Sequence, residues 1–238
     1  MDTLLHLAIL PQPDDFTCGP TCLHAVFNYF GVDLPLDEVI ENTSRLEKGG
    51  TLAACLGCQA IRRGYRAKIY TYDLQVFDPV WFQEEHNNRL LAAKLRAQAE
   101  AKDGRRLQAA TRAFLEYLGL GGEVRFEDLT GGLIRHYLNR DVPIITGLSS
   151  TYLYRTMREY GPNDDYDDVR GKPSGHFVVL CGYNKTKKTV LVADPMHPNP
   201  VSDTQYYEVD ISRLVCAILL GILTNDANLL IIQPGSKR

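Results

Sequence analysis

The sequence predicts a mixed globular fold of helices and antiparallel strands, on three observations. A turn-rich segment over residues 11–18 opens into apolar positions at helical spacing, Leu23, Val26, Phe27 and Phe30. Two β-branched runs, 176–183 and 189–194, flank the short polar loop 184–188, the pattern of an antiparallel hairpin. Residues 81–118 are rich in Ala, Leu, Gln, Arg, Lys and Glu with a break at Asp103-Gly104, which reads as a helical hairpin with a solvated outer face.

Each element has a local cause. The first helix starts between Cys18 and Pro20, because proline suits a first turn, and it stops at Gly31. A second short helix begins at Asp37. A third begins at Gly50 and stops near Gly64, and residues 66–72 then alternate as a strand. The double glycine Gly121-Gly122 closes the helical hairpin. Residues 128–138 form a further helix with Thr130 as its N-cap, and 143–147 reads as a buried strand. Residues 154–174 form a polar loop whose Asp164, Asp165, Asp167 and Asp168 lack the glycine and terminal glutamate of a calcium loop, so a mobile loop is expected there. A helix over 211–220 and a strand over 229–232 end the chain.

Composition narrows the function. The 238 residues are 45% hydrophobic and 23% charged, which excludes disorder for the bulk of the chain and fits a single domain best. Lys and Arg number 26 against 29 Asp and Glu, a net charge of −3, too even for a partner bound by phosphate neutralisation. The longest apolar run, 214–223, is about half of the roughly 20 residues needed to span a bilayer. Near the N-terminus, Asp2 precedes a Leu-rich run with neither a basic region nor a small-residue cleavage site. A cytoplasmic protein without a nucleic-acid or membrane partner is expected. The basic cluster Lys102, Arg105 and Arg106 reads as a charged helix surface.

Six cysteines are too few for a disulfide scaffold. Cys181 and Cys216 lie in apolar runs and are expected to be buried, as is Cys22, one helical turn beyond Cys18. Cys18 differs. A free thiol is mostly protonated at neutral pH, and a helix start favours the thiolate through unpaired N–H groups and the positive dipole end. Attack also needs a base, usually an imidazole oriented by a carboxylate. The hairpin supplies one: His176 opens its first strand and Asp194 closes its second, so folding the ribbon brings them within about two residues of register. Gln12, six residues before Cys18, supplies an amide able to stabilise an oxyanion together with the Cys18 N–H.

The pattern Gln12…Asp14-Asp15-Phe-Thr-Cys18-Gly-Pro-Thr-Cys22, followed by Gly175-His176-Phe-Val-Val-Leu-…-Gly182-Tyr183 and Val192-Ala-Asp194-Pro195, resembles the motifs of the C39-type, papain-like cysteine peptidases. The resemblance covers roughly residues 10–75 and 130–200. It implies a papain-like α+β fold, with the cysteine helix packed on an antiparallel sheet bearing His and Asp; the helical segment departs from the family's minimal domain, and residues 81–120 read as an insertion in one domain spanning 1–238. It implies amide-bond cleavage of a peptide or protein through an acyl-enzyme, with no metal or cofactor. Cys18 is the expected nucleophile, His176 the base and then acid, Asp194 its orienter and Gln12 an oxyanion donor. Thr17 stands where this family often has Asp.

Other readings compete. Acyl transfer to an amine or thiol shares the first chemical step with hydrolysis. From another class, Cys18, Cys22, Cys55 and Cys58 would make a four-thiolate zinc module, although Cys55 and Cys58 fall in a predicted helix and only Gly57 leaves room for a turn. His24 reads as surface or packing; of His136 and His197, only His197 lies near Asp194 in sequence and is a candidate to line the site.

Overall fold

The computed structural model describes residues 2–46, 50–83, 87–224 and 226–235. In chain order its elements are β1 (Thr3–Leu4), α1 (Cys18–Tyr29), α2 (Leu36–Glu41), α3 (Ala53–Arg62), β2 (Tyr65–Thr71), α4 (Asn88–Ala101), α5 (Arg105–Gly119), β3 (Glu123–Arg125) and α6 (Gly131–Leu138). Then come β4 (Ile144–Ser149), α7 (Ser150–Tyr154), β5 (Glu159–Tyr160), β6 (Asp165–Tyr166), β7 (Gly175–Asn184), β8 (Thr189–Ala193), β9 (Tyr206–Asp210), α8 (Ile211–Leu220) and β10 (Asn228–Pro234).

An eight-stranded sheet organises the chain in the order β3-β2-β10-β4-β7-β8-β9, with β1 added beside β7. Only β2 and β3 pair in parallel; the other neighbours are antiparallel. β4 is buried along its whole length and β7 over nearly all of it, which is why both read as continuous apolar runs. α1 packs on β7, and α8 packs on β4. The α+β class implied by the sequence resemblance is therefore borne out, with the Cys18 helix against the strand that carries His176.

Caps explain where several helices begin. Thr130 accepts from Leu133 N–H, as expected, so the helix starts at Gly131 rather than at 128. Asn87 accepts from Arg89 and Leu90 N–H groups, and Asp210 accepts from Ser212 and Arg213 N–H groups. α4 and α5 pack on one another within the region read as a helical hairpin, of which residues 84–86 lie outside the described residues. The basic cluster ties into local structure: Lys102 donates to Gln98 Oε1 and Arg106 to the Leu223 carbonyl.

Some sequence expectations need correction. The third helix starts at Ala53, not Gly50. The stretch 154–174 contains the short pair β5–β6, and its Asp167 carboxylate is occupied by Val169 N–H, Arg170 N–H and Arg170 Nε. Cys216 is exposed rather than buried. Within α8 the buried positions are Leu214, Ala217 and Ile218, and a turn of about 100° per residue puts Cys216 on the outer face despite its apolar neighbours.

Candidate active site

α1 begins at Cys18, and the residues just before it leave that start open. Thr17 occupies the N-cap position but makes no capping hydrogen bond. Its hydroxyl instead donates to the Asp14 carbonyl at 3.1 Å and accepts from Asp14 N–H at 3.3 Å. The first N–H groups of the helix thus lack a side-chain acceptor, which leaves the positive end of the dipole directed at the cysteine. Gly19 allows the approach: a Cβ there would stand 2.5 Å from Thr51 Cγ2 and 3.4 Å from the Phe177 ring.

The β7–β8 ribbon delivers the other two groups. Ala193 pairs with Val179, so Asp194 follows two residues out of register with His176. His176 Nε2 and Asp194 Oδ1 lie 2.8 Å apart, with side chains 4% and 0% exposed. Cys18 lies near enough to the imidazole for its sulfur to raise the ring's pKa, while keeping 9% exposure. Since Nε2 is engaged by Asp194, Nδ1 is the nitrogen left for the sulfur.

Burial alone would push the imidazole pKa down, but the Asp194 charge, its hydrogen bond and the Cys18 sulfur overcome this and raise it to about 10. For Asp194, burial works against ionisation and is outweighed by the His176 charge and hydrogen bond and by two tyrosine donors, so its pKa falls below the usual carboxylate value. The two directions agree on one state: an imidazolium paired with a carboxylate.

Gln12 reaches the same corner. Its backbone N–H donates to the Pro195 carbonyl at 2.8 Å, tying the segment before α1 to the residue after Asp194. Its Nε2 donates to the Asp14 carbonyl at 2.9 Å, and Oε1 is buried without a partner among the described residues. Reversing the amide would set two oxygens against each other, so the –NH2 orientation is fixed and its second N–H stays available. The segment between α7 and β7 borders the site, and the Glu159 carboxyl there feels both Asp15 and His176.

Three groups were missed by sequence reasoning. Tyr154 and Tyr207 donate to Asp194 Oδ2 at 2.7 and 2.6 Å, and Met196 N–H donates to Oδ1 at 2.9 Å. With 13 tyrosines in the chain, no local signal singles out these two.

Other candidates fall away from the site. Cys22 is fully buried and donates to the Phe177 carbonyl at 3.3 Å; burial, with Cys18 and Asp194 nearby, holds its pKa well above the ordinary thiol value. His24 is buried and bonded to the Leu34 carbonyl at 2.9 Å, which makes it a packing residue. His136 pairs with Arg140, and His197 is exposed. The four-thiolate zinc reading is not assembled: among the described residues no group of three or more His, Cys, Asp or Glu converges on a metal-binding geometry. Cys55 and Cys58 lie in regular helix, and Gly57 between them serves packing, because a Cβ there would stand 2.5 Å from the Tyr117 ring. No helix among the described residues is long and apolar enough to cross a membrane.

A family model described as the Peptidase_C39 like family matches residues 109–215, a span that includes His176 and Asp194 and excludes Gln12 and Cys18. That match bears out the C39-like resemblance read from the motifs. No curated protein matches the chain. Among solved structures it is similar to a double glycine motif protease from an AMS/PCAT transporter in complex with the leader peptide, at 15% identity over 98% of this chain and 94% of that one, with a TM-score of 0.45. It is also similar to a protein described as a C39-like peptidase from Bacillus anthracis, at 13% identity over 99% and 98%, with a TM-score of 0.49. A third is the peptidase domain of Streptococcus ComA, a bi-functional ABC transporter, at 14% identity over 96% and 99%, with a TM-score of 0.44.

Proposed function

We propose that the chain is a cysteine peptidase that hydrolyses an amide bond of a peptide or protein through a thioester. One observation carries this reading: a thiol at an uncapped helix start adjoins a buried imidazole whose far nitrogen meets a carboxylate at 2.8 Å. Cys18 is the nucleophile, His176 the proton carrier, Asp194 its orienter, and Gln12 with the Cys18 N–H the oxyanion donors. The Cys18 thiolate attacks the carbonyl carbon, forming a C–S bond and an oxyanion that the two donors stabilise. The oxyanion collapses, the C–N bond breaks, and the His176 imidazolium gives its proton to the leaving amine. Water then attacks the thioester as His176 takes its proton; the C–S bond breaks, releasing the acid and restoring the thiolate. Asp194 keeps the imidazole in one tautomer throughout. The chemistry is housed in one domain, with residues 81–120 as an insertion outside the reacting groups.

The test is an electrophilic peptide probe applied to the full chain, with the labelled residue located by mass spectrometry. Labelling at Cys18 that disappears in Cys18→Ala and in His176→Ala supports the reading. Labelling at another cysteine, or persistence in His176→Ala, overturns it.

A further inference from the structure

Asp194 is wholly buried, and burial disfavours its charged form. It nonetheless accepts four hydrogen bonds, and their division is specific. His176 Nε2 and Met196 N–H share Oδ1, whereas among the described residues Oδ2 is held only by the hydroxyls of Tyr154 and Tyr207. The tyrosines come from separate elements, α7 and β9. Tyr207 lies opposite Val192, on the face of the ribbon that Asp194 shares, and Tyr154 also sets its ring beside His176 with centroids 6.1 Å apart. Phenylalanine would fill either volume equally well; what the hydroxyls add here is a hydrogen bond each, and both are donated to the same oxygen.

We propose that Tyr154 and Tyr207 are positioning residues that clamp Oδ2 of Asp194, keep that carboxylate ionised in its buried setting, and reserve Oδ1 for His176. The inference rests on the peptidase reading. The titratable groups facing Asp194 are His176 from β7, Tyr154 from α7, Tyr207 from β9 and Cys22 from α1, with Cys18 beyond the imidazole. Both tyrosines remain protonated donors, since burial and the Asp194 charge raise their pKa values. Hydrogen bonds to a charged acceptor are the strong ones, so two of them are able to oppose the desolvation of one carboxylate. A protonated Asp194 would no longer hold an imidazolium, and the Cys18 thiolate would lose its counter-charge.

The test follows alkylation of Cys18 by iodoacetamide against pH in the intact protein, quantified on the Cys18 peptide. Tyr154→Phe and Tyr207→Phe each remove one donor while keeping the ring. Each is expected to move the acid limb up by about one pH unit, and the double variant by about two, with the alkaline limb in place. A purely structural role would lower thermal stability and leave both limbs where they were. If the folded variants keep the original acid limb while His176→Ala abolishes the profile, the clamp is refuted and the peptidase reading stands. If Cys18 reactivity is indifferent to His176→Ala, both fail. Should one tyrosine variant not fold, the other decides, because both donate to the same oxygen.

Discussion

Replacing Asp194 with Asn keeps the shape of the side chain and removes its charge. The amide oxygen still accepts from His176 and Met196, while the new –NH2 meets the Tyr154 and Tyr207 hydroxyls, which turn to accept. The fold is therefore expected to survive. The imidazole, raised from 6.5 to about 10 in the native protein, loses the Asp194 charge that contributes most to raising it and keeps the Cys18 sulfur against burial, which lowers it. The net shift is 10 − 6.5 = 3.5 units, roughly 5 kcal/mol in favour of the imidazolium after the cost of burial, supplied by Asp194 together with the Cys18 sulfur. At pH 8 the native imidazole is held protonated, and in the variant the protonated fraction falls. Loss of kcat by about 10²–10⁴-fold with little change in KM is expected, together with a matching fall in Cys18 alkylation. Stability carries the same signature. A raised histidine pKa stabilises the fold fully below pH 6.5, and this contribution is lost as pH rises through about 10, so the native Tm falls across that window and the variant's does not. A variant that labels at Cys18 within threefold of the native rate from pH 6 to 9 would refute the ion-pair account.

Other perturbations separate the remaining roles. Cys18 should be alkylated by iodoacetamide faster than the other five thiols at pH 6, and Cys18→Ala should abolish peptidase activity with Tm unchanged; equal, slow labelling of all six is the contrary result. Gln12→Ala removes an oxyanion donor and is expected to lower kcat by about 10²–10³-fold, whereas a pure rise in KM would reassign Gln12 to substrate binding. Asp226 is buried, and that burial raises its carboxyl from 3.8 to about 7, so its native-state proton is lost only near neutrality. For an acid shifted upward, stability is intact below pH 3.8 and declines as pH rises toward 7; Asp226→Asn should therefore raise the unfolding free energy at pH 8 but not at pH 3.5, by up to roughly 4 kcal/mol from the 7 − 3.8 = 3.2 unit difference. Gly147→Ala places a Cβ 2.3 Å from the Asp226 backbone oxygen, which cannot swing aside, and a loss of about 3 kcal/mol or more by denaturant unfolding is expected.

Much of the site was legible because its parts are local. Pro20 and the apolar spacing after Cys18 mark the helix start, and the runs on either side of residues 184–188 mark the ribbon, so the approach of His176 and Asp194 follows from hairpin geometry alone. What stayed hidden depends on pairing between distant segments. β3 is three residues long and exists because β2 offers a parallel edge. Tyr207 joins Asp194 only once β9 has taken its register on β8, and Tyr154 only once α7 follows β4. Neither pairing leaves a periodic trace in the sequence. The misplacement of Cys216 has a different origin: an apolar run states that a helix is partly buried, not which of its faces turns inward.

Cys18 and Cys22 show that position, rather than residue type, makes the nucleophile. They lie on one helix, a single turn apart. Cys22 lies a turn inside the helix with no exposure, donates its S–H to the Phe177 carbonyl, and has Cys18 and Asp194 near enough to oppose a further negative charge. Its thiolate has nothing to stabilise it. Cys18 stands at the one point of the helix where N–H groups are unclaimed, because Thr17 turns its hydroxyl back to Asp14. There it meets a buried imidazole that a carboxylate holds in the cationic form.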